Sequence, residues 1–105
     1  FDNDGNKSTR IVGDNYEVVA GSDFVNIKGT ANLTIDSNCN TYIKGNWNIQ
    51  VDGTKTEVVT GAVSETYKST KTENVTGAVQ ETFSSTQTTN VSSNVTITGS
   101  RIDLN

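Results

Sequence analysis

The sequence predicts an all-β fold: an intertwined triple-stranded β-helix, a homotrimeric β-prism built from eight-residue repeats. Three observations predict it. Eight of the nine glycines (Gly5, Gly13, Gly21, Gly29, Gly45, Gly53, Gly61 and Gly77) are separated by multiples of eight. Where that register lacks glycine, at 37, 69, 85 and 93, the residue is serine. An apolar residue stands six positions after each member of the register up to Ser85. A fixed short period decides the architecture of a chain before any other feature does.

With the glycine position labelled a, position g reads Ile11, Val19, Ile27, Ile35, Ile43, Val51, Val59, Tyr67, Val75, Phe83 and Val91. Position e is mixed: Val25, Leu33 and Ile49 are apolar, whereas Glu57, Glu65, Glu73 and Glu81 form a charged run. Position c holds Ala31, Cys39, Trp47, Val63, Val79 and Val95, but also Lys7, Lys55 and Lys71. The other positions are mostly Thr, Ser, Asn, Asp, Gln and Lys, with Tyr16, Val18, Phe24 and Val58 as exceptions. Alternation of period two argues strand and puts c, e and g on one face. Thr, Val and Ile favour strands. Each octad is therefore about six extended residues and a bend at h and a. Glycine tolerates positive φ and close backbone approach at such a corner, and Asn or Asp after it suits a turn. The chain has no proline, which fits N–H groups needed for ladders. A 16-residue repeat overlies the octad: 54–69 (TKTEVVTGAVSETYKS) and 70–85 (TKTENVTGAVQETFSS) agree at twelve positions.

One chain is not enough for this fold. Hydrophobic content is 31%, low for a globular core. Each octad offers one reliable core residue, worth roughly 1.5–3 kcal/mol when buried. Fixing eight backbone residues costs on the order of 8–16 kcal/mol. Ladders help only when strands have neighbours on both sides. Winding several copies about one axis supplies those neighbours, most simply as a parallel trimer of triangular section. The predicted trimer core is Ile11, Val19, Val25, Ile27, Leu33, Ile35, Ile43, Trp47, Ile49, Val51, Val59, Tyr67, Val75, Phe83 and Val91. If three octads make one turn, 24 residues rise about 14 Å and the repeat region forms a rod about 60 Å long.

Between 54 and 85 the same face turns polar. Lys55, Glu57, Glu65, Lys71, Glu73 and Glu81 form a predicted interior charged column. Rings of like charge near an axis are unfavourable unless compensated. Lys55 and Lys71 compensate Glu57 and Glu73. Glu65 and Glu81 have Val63 and Val79 beside them, so they require lysines of other octads, water, bound cations or raised pKa values. The alternative is that the octads flip here and the glutamates face solvent. No resident cofactor is expected, beyond possible interior waters or ions.

Charge and composition limit the function. The net charge is −4 and the pI about 4.5, which disfavours nucleic acid and anionic membrane surfaces as partners. No apolar run is long enough to span a bilayer and no signal peptide is read. The chain begins with Phe1 rather than Met, which points to a fragment. Cys39, the one cysteine, fits a small core residue at position c. With no histidine, Ser-His, Cys-His and His-metal sites cannot form within the chain. The glutamates recur with the octad and so read as architecture. No enzyme, no catalytic residue and no metal site is predicted. The Asn-X-Ser/Thr triplets at Asn32, Asn74, Asn90 and Asn94 are expected by chance in so Asn- and Thr-rich a chain. Thr-x-Thr triplets at Thr54, Thr70 and Thr86 raise an ice-binding alternative, but they recur over only three units.

The register fails at the C-terminus. Gly99 occupies a g position, and Ile102 and Leu104 restart an alternation. This divides the chain into a shaft, 1–98, and a tip, 99–105. A broken period at the end of a solenoid serves as a cap or a docking surface.

Octads such as Ile11-Val12-Gly13-Asp14 and Ile43-Lys44-Gly45-Asn46, threaded with Thr and Glu and ending in TITGSRIDLN, carry a resemblance. The chain resembles the C-terminal β-helical needle domain of the tail-associated lysozymes, the central spikes of T-even-like contractile-tailed phages. Type VI secretion spike proteins are related. The resemblance covers essentially the whole chain, and Gly99 to Asp103 is its most specific segment. It implies a virion protein of the tail baseplate, made in the host cytoplasm, that is driven into the host outer membrane when the sheath contracts. It further implies baseplate hub proteins as partners through a missing N-terminal part, and an OB-fold and a lysozyme domain in the full-length protein. It implies a PAAR-repeat protein capping the tip, on Ser100, Arg101, Ile102, Asp103, Leu104 and Asn105. A passive trimeric stalk, as in a tail fibre or adhesin, is the alternative.

Overall fold

The computed structural model describes residues 4–105. It divides into two units, Phe1–Gly53 and Thr54–Asn105.

In the first unit the chain bends at 12–13, 20–21, 28–29, 36–37, 44–45 and 52–53. In the second it bends at 60–61, 68–69, 76–77, 84–85, 92–93 and again at Ser100. Every bend through 92–93 occupies positions h and a. Between bends the backbone is extended. Backbone path and sequence register coincide, and the alternating, β-prone residues between turns hold extended geometry. The bend at Ser100 keeps the octad schedule where the apolar pattern has already lapsed at Gly99. The C-terminal break therefore lies in side-chain content and not in the path of the chain.

Neither unit folds back on itself, and no strand ladder forms among the described residues. An extended segment becomes a strand only when a neighbour accepts and donates its backbone hydrogen bonds. Within one chain the octads follow one another and supply no such neighbour.

Every described residue is exposed and none forms a buried core. Exposure still follows the octad. Position g side chains, from Ile11 to Val91, retain 43–57% of their accessible surface. Outward d, f and h residues retain far more, 93% at Val18 and 92% at Phe24. The residue before each bend is partly shielded by the chain that turns beside it. The contrast belongs to position g; Leu33 at e, at 84%, is as exposed as Tyr42 at f.

The corner glycines correct one expectation. Gly5 alone among the described residues has positive φ, at 82°. At Gly13, Gly21, Gly29, Gly45, Gly53, Gly61 and Gly77 φ is ordinary, and a Cβ would meet nothing within 4 Å. Neither backbone conformation nor crowding within the chain requires glycine there.

Candidate functional site

The side-chain hydrogen bonds and ion pairs described here share one spacing. Each links residues i and i+2, which an extended chain places on one face. Lys55 Nζ lies 2.9 Å from Glu57 Oε1. Lys71 Nζ lies 2.6 Å from Glu73 Oε1. Cys39 Sγ is 3.9 Å from Thr41 Oγ1, and the Tyr67 hydroxyl donates to Glu65 Oε2 at 3.2 Å. These four join positions c, e and g. On the opposite parity the Gln50 amide donates to Asp52 Oδ1 at 2.9 Å, and the Tyr16 hydroxyl reaches Asp14 Oδ2 at 3.5 Å.

Lys55–Glu57 and Lys71–Glu73 therefore pair at the c–e spacing. The partner of Glu65 was missed. It is the hydroxyl of Tyr67, two residues on, and the legible signal was tyrosine in place of valine at g. Lys71 Nζ also sits 5.0 Å above the centroid of the Tyr67 ring, close enough for a cation–π attraction. Glu65, Tyr67, Lys71 and Glu73 thus form one connected group across a bend. Glu81 makes no hydrogen bond or ion pair among the described residues. Its counterpart of Tyr67 is Phe83, which has no hydroxyl.

The pairs favour the charged forms of Lys55, Lys71 and Glu73. The hydrogen bond and charge of Glu57 raise the Lys55 ammonium above its ordinary value. Glu73 raises Lys71 in the same way, with smaller contributions from Tyr67 and Glu65. Lys71 in turn holds the Glu73 carboxyl below its ordinary value, first through the hydrogen bond and then through its charge. The lowered Glu73 value gives a contribution present above the ordinary carboxylate pKa and lost as pH falls through the lowered one. The raised lysine values give a contribution present below the ordinary lysine pKa and lost as pH rises through the raised one. Both groups are exposed, so solvent screens the pairs. Replacing Lys71 by Ala is expected to move the Glu73 titration midpoint upward. Carboxyl-carbon NMR measures this, and an unmoved midpoint would show that the pair does not form.

The predicted core residues all lie open. Ile11, Val19, Ile27, Ile35, Ile43, Val51, Val59, Tyr67, Val75, Phe83 and Val91 are the half-covered set; Val25, Leu33, Trp47 and Ile49 are more exposed. Cys39 is free and exposed. At the tip, Arg101 Nε lies 2.9 Å from Asp103 Oδ1. Ile102 is about half exposed and Leu104 almost fully. Among the described residues no group of His, Cys, Asp or Glu could hold a metal ion, and no helix is long and apolar enough to cross a membrane. Comparison with protein-family models, curated proteins and solved structures gives no match.

Proposed function

We propose that this chain is one third of an intertwined, homotrimeric β-helical rod that serves as the needle of a contractile-tail spike. One observation carries the proposal. In each unit an octad-periodic row of apolar g side chains, Ile11 to Val51 and Val59 to Val91, stays about half exposed with no core to bury it. A soluble chain does not retain so long an apolar face uncovered. Two further copies would cover it, and would supply the ladder partners that each extended segment lacks. The corner glycines fit the same arrangement: with nothing of their own chain near them, they leave room for the backbone of a neighbour.

A rod of this kind acts mechanically. Its backbone bonds lie in continuous ladders, and three interwound chains do not release one strand at a time. The polar, Thr-rich outer face passes through water and lipid without adhering. Force runs along the axis and no side-chain chemistry is needed. The tip, Ser100 to Asn105, would seat a PAAR-repeat cap. In this proposal the host outer membrane is a mechanical target, and the hub lies at the other end of the protein.

The solution mass and small-angle scattering profile test the rod. An elongated trimer about 60 Å or longer is expected; a compact monomer refutes it. Binding of a PAAR-repeat protein to the C-terminal end tests the needle. A trimer that does not bind one is a passive stalk.

A further inference from the structure

We infer that Lys28, Asp36, Lys44 and Asp52 form an interchain ion-pair ladder along each corner of the assembled rod, and that this ladder fixes the register between chains. The inference rests on the trimeric rod proposed above. All four residues occupy position h, the first residue of the bends at 28–29, 36–37, 44–45 and 52–53. Their charges alternate in sign along four consecutive octads. All are exposed. Among the described residues Lys28, Asp36 and Lys44 make no ion pair or hydrogen bond, and Asp52 accepts only from Gln50.

A single chain does not pair them. Successive h residues are eight positions apart along an extended backbone, which is about 25 Å of chain. The trimer brings them together by symmetry. If each octad turns the chain by a third of a revolution and raises it by one strand spacing, the threefold axis converts that step into a simple translation. Octad n of one chain then lies under octad n+1 of the next, about 4.8 Å away. Lys28 of one copy falls beside Asp36 of the second, Asp36 beside Lys44 of the third, and Lys44 beside Asp52. The occupant of this charged edge is a second copy of the chain, selected by charge complementarity.

The ladder supplies what the apolar face lacks. Position g is Ile or Val throughout 11–59, so the g row by itself does not distinguish a chain slid by one octad. Register that the hydrophobic pattern does not fix must be fixed by something else. A slip of one chain by one octad in either direction puts like charges side by side where the slipped chain meets its neighbours in this segment. Alternating charge therefore penalises the slip that the g row tolerates, as charged flanking positions do in coiled coils. The outer d positions carry the same signature. Tyr16 and Phe24 are one octad apart, and so are Asn32, Asn40 and Asn48. Stacked at one strand spacing, these give an aromatic pair and an amide ladder.

Charge exchange in the full chain is the test. Asp36→Lys places three lysines in a row on each corner. Its trimer is expected to melt several degrees below the wild type at low salt, with the gap closing in about 1 M salt, where the Debye length is about 3 Å. The fourfold exchange Lys28→Asp, Asp36→Lys, Lys44→Asp and Asp52→Lys restores alternation with the same net charge. It is expected to recover the wild-type midpoint, even if Asp36→Lys alone does not assemble. A trimeric Asp36→Lys variant that melts like the wild type at low salt overturns the ladder and leaves the rod standing. A fourfold exchange that fails to recover the midpoint also overturns it. A wild-type chain that is monomeric refutes the rod itself.

Discussion

Ile43→Asp is expected to abolish assembly, whereas Tyr42→Asp, one residue away, leaves it intact. Ile43 is the least exposed of the g side chains, at 43% of its surface in the single chain. In the proposed trimer three copies meet near the axis. Removing one Ile forfeits roughly 1.5–3 kcal/mol per chain. Three carboxylates then enter the same layer, with an effective desolvation penalty of several kcal/mol for each ion. Total stabilities are about 5–15 kcal/mol, so the change exceeds what an assembly of this kind can absorb. Tyr42 occupies position f, is 84% exposed, and in the proposed trimer faces outward. The same carboxylate there stays in water. Sedimentation equilibrium reads the result as a mass. Equal behaviour of the two variants would show that the c, e and g face is not the one that assembles.

That contrast also marks what the residues reveal by themselves. Bends follow position h and a through the whole described chain because spacing alone sets them. The parity of the two faces was legible for the same reason: side chains two apart share a face whatever surrounds them. Lys55–Glu57 and Lys71–Glu73 are found as that rule places them. The bond from Tyr67 to Glu65 obeys the same rule and was overlooked, because tyrosine at g was counted as core volume and not as a donor. The glycines were legible as a register and illegible as a cause. Ordinary φ at Gly13 through Gly77 removes the local explanation, and in the proposed rod their role is to leave space for another chain. The proposed ladders belong to that same class of feature: a chain seen alone displays extended segments, and only neighbours turn them into strands.

The two halves of the 16-residue repeat differ where this matters most. In 54–69 the glutamate at e is followed by Tyr67; in 70–85 it is followed by Phe83. Glu65 accepts a hydrogen bond from Tyr67 at 3.2 Å, while Glu81 has no such donor. In the interior of the proposed rod a carboxylate without a partner is costly, and a hydrogen bond to a charged group contributes about 1.5–3 kcal/mol net. Phe83→Tyr adds only a hydroxyl and gives Glu81 the partner that Glu65 already has. It is expected to raise the melting midpoint of the trimer. Tyr67→Phe removes that partner and is expected to lower it by a comparable amount, since the geometry is shared. Calorimetry on the two variants and the wild type decides the matter. If the glutamates face solvent, water satisfies them in either variant and both midpoints stay at the wild-type value. Opposite shifts would place the carboxylates of Glu65 and Glu81 inside, where a single hydroxyl separates a satisfied layer from an unsatisfied one.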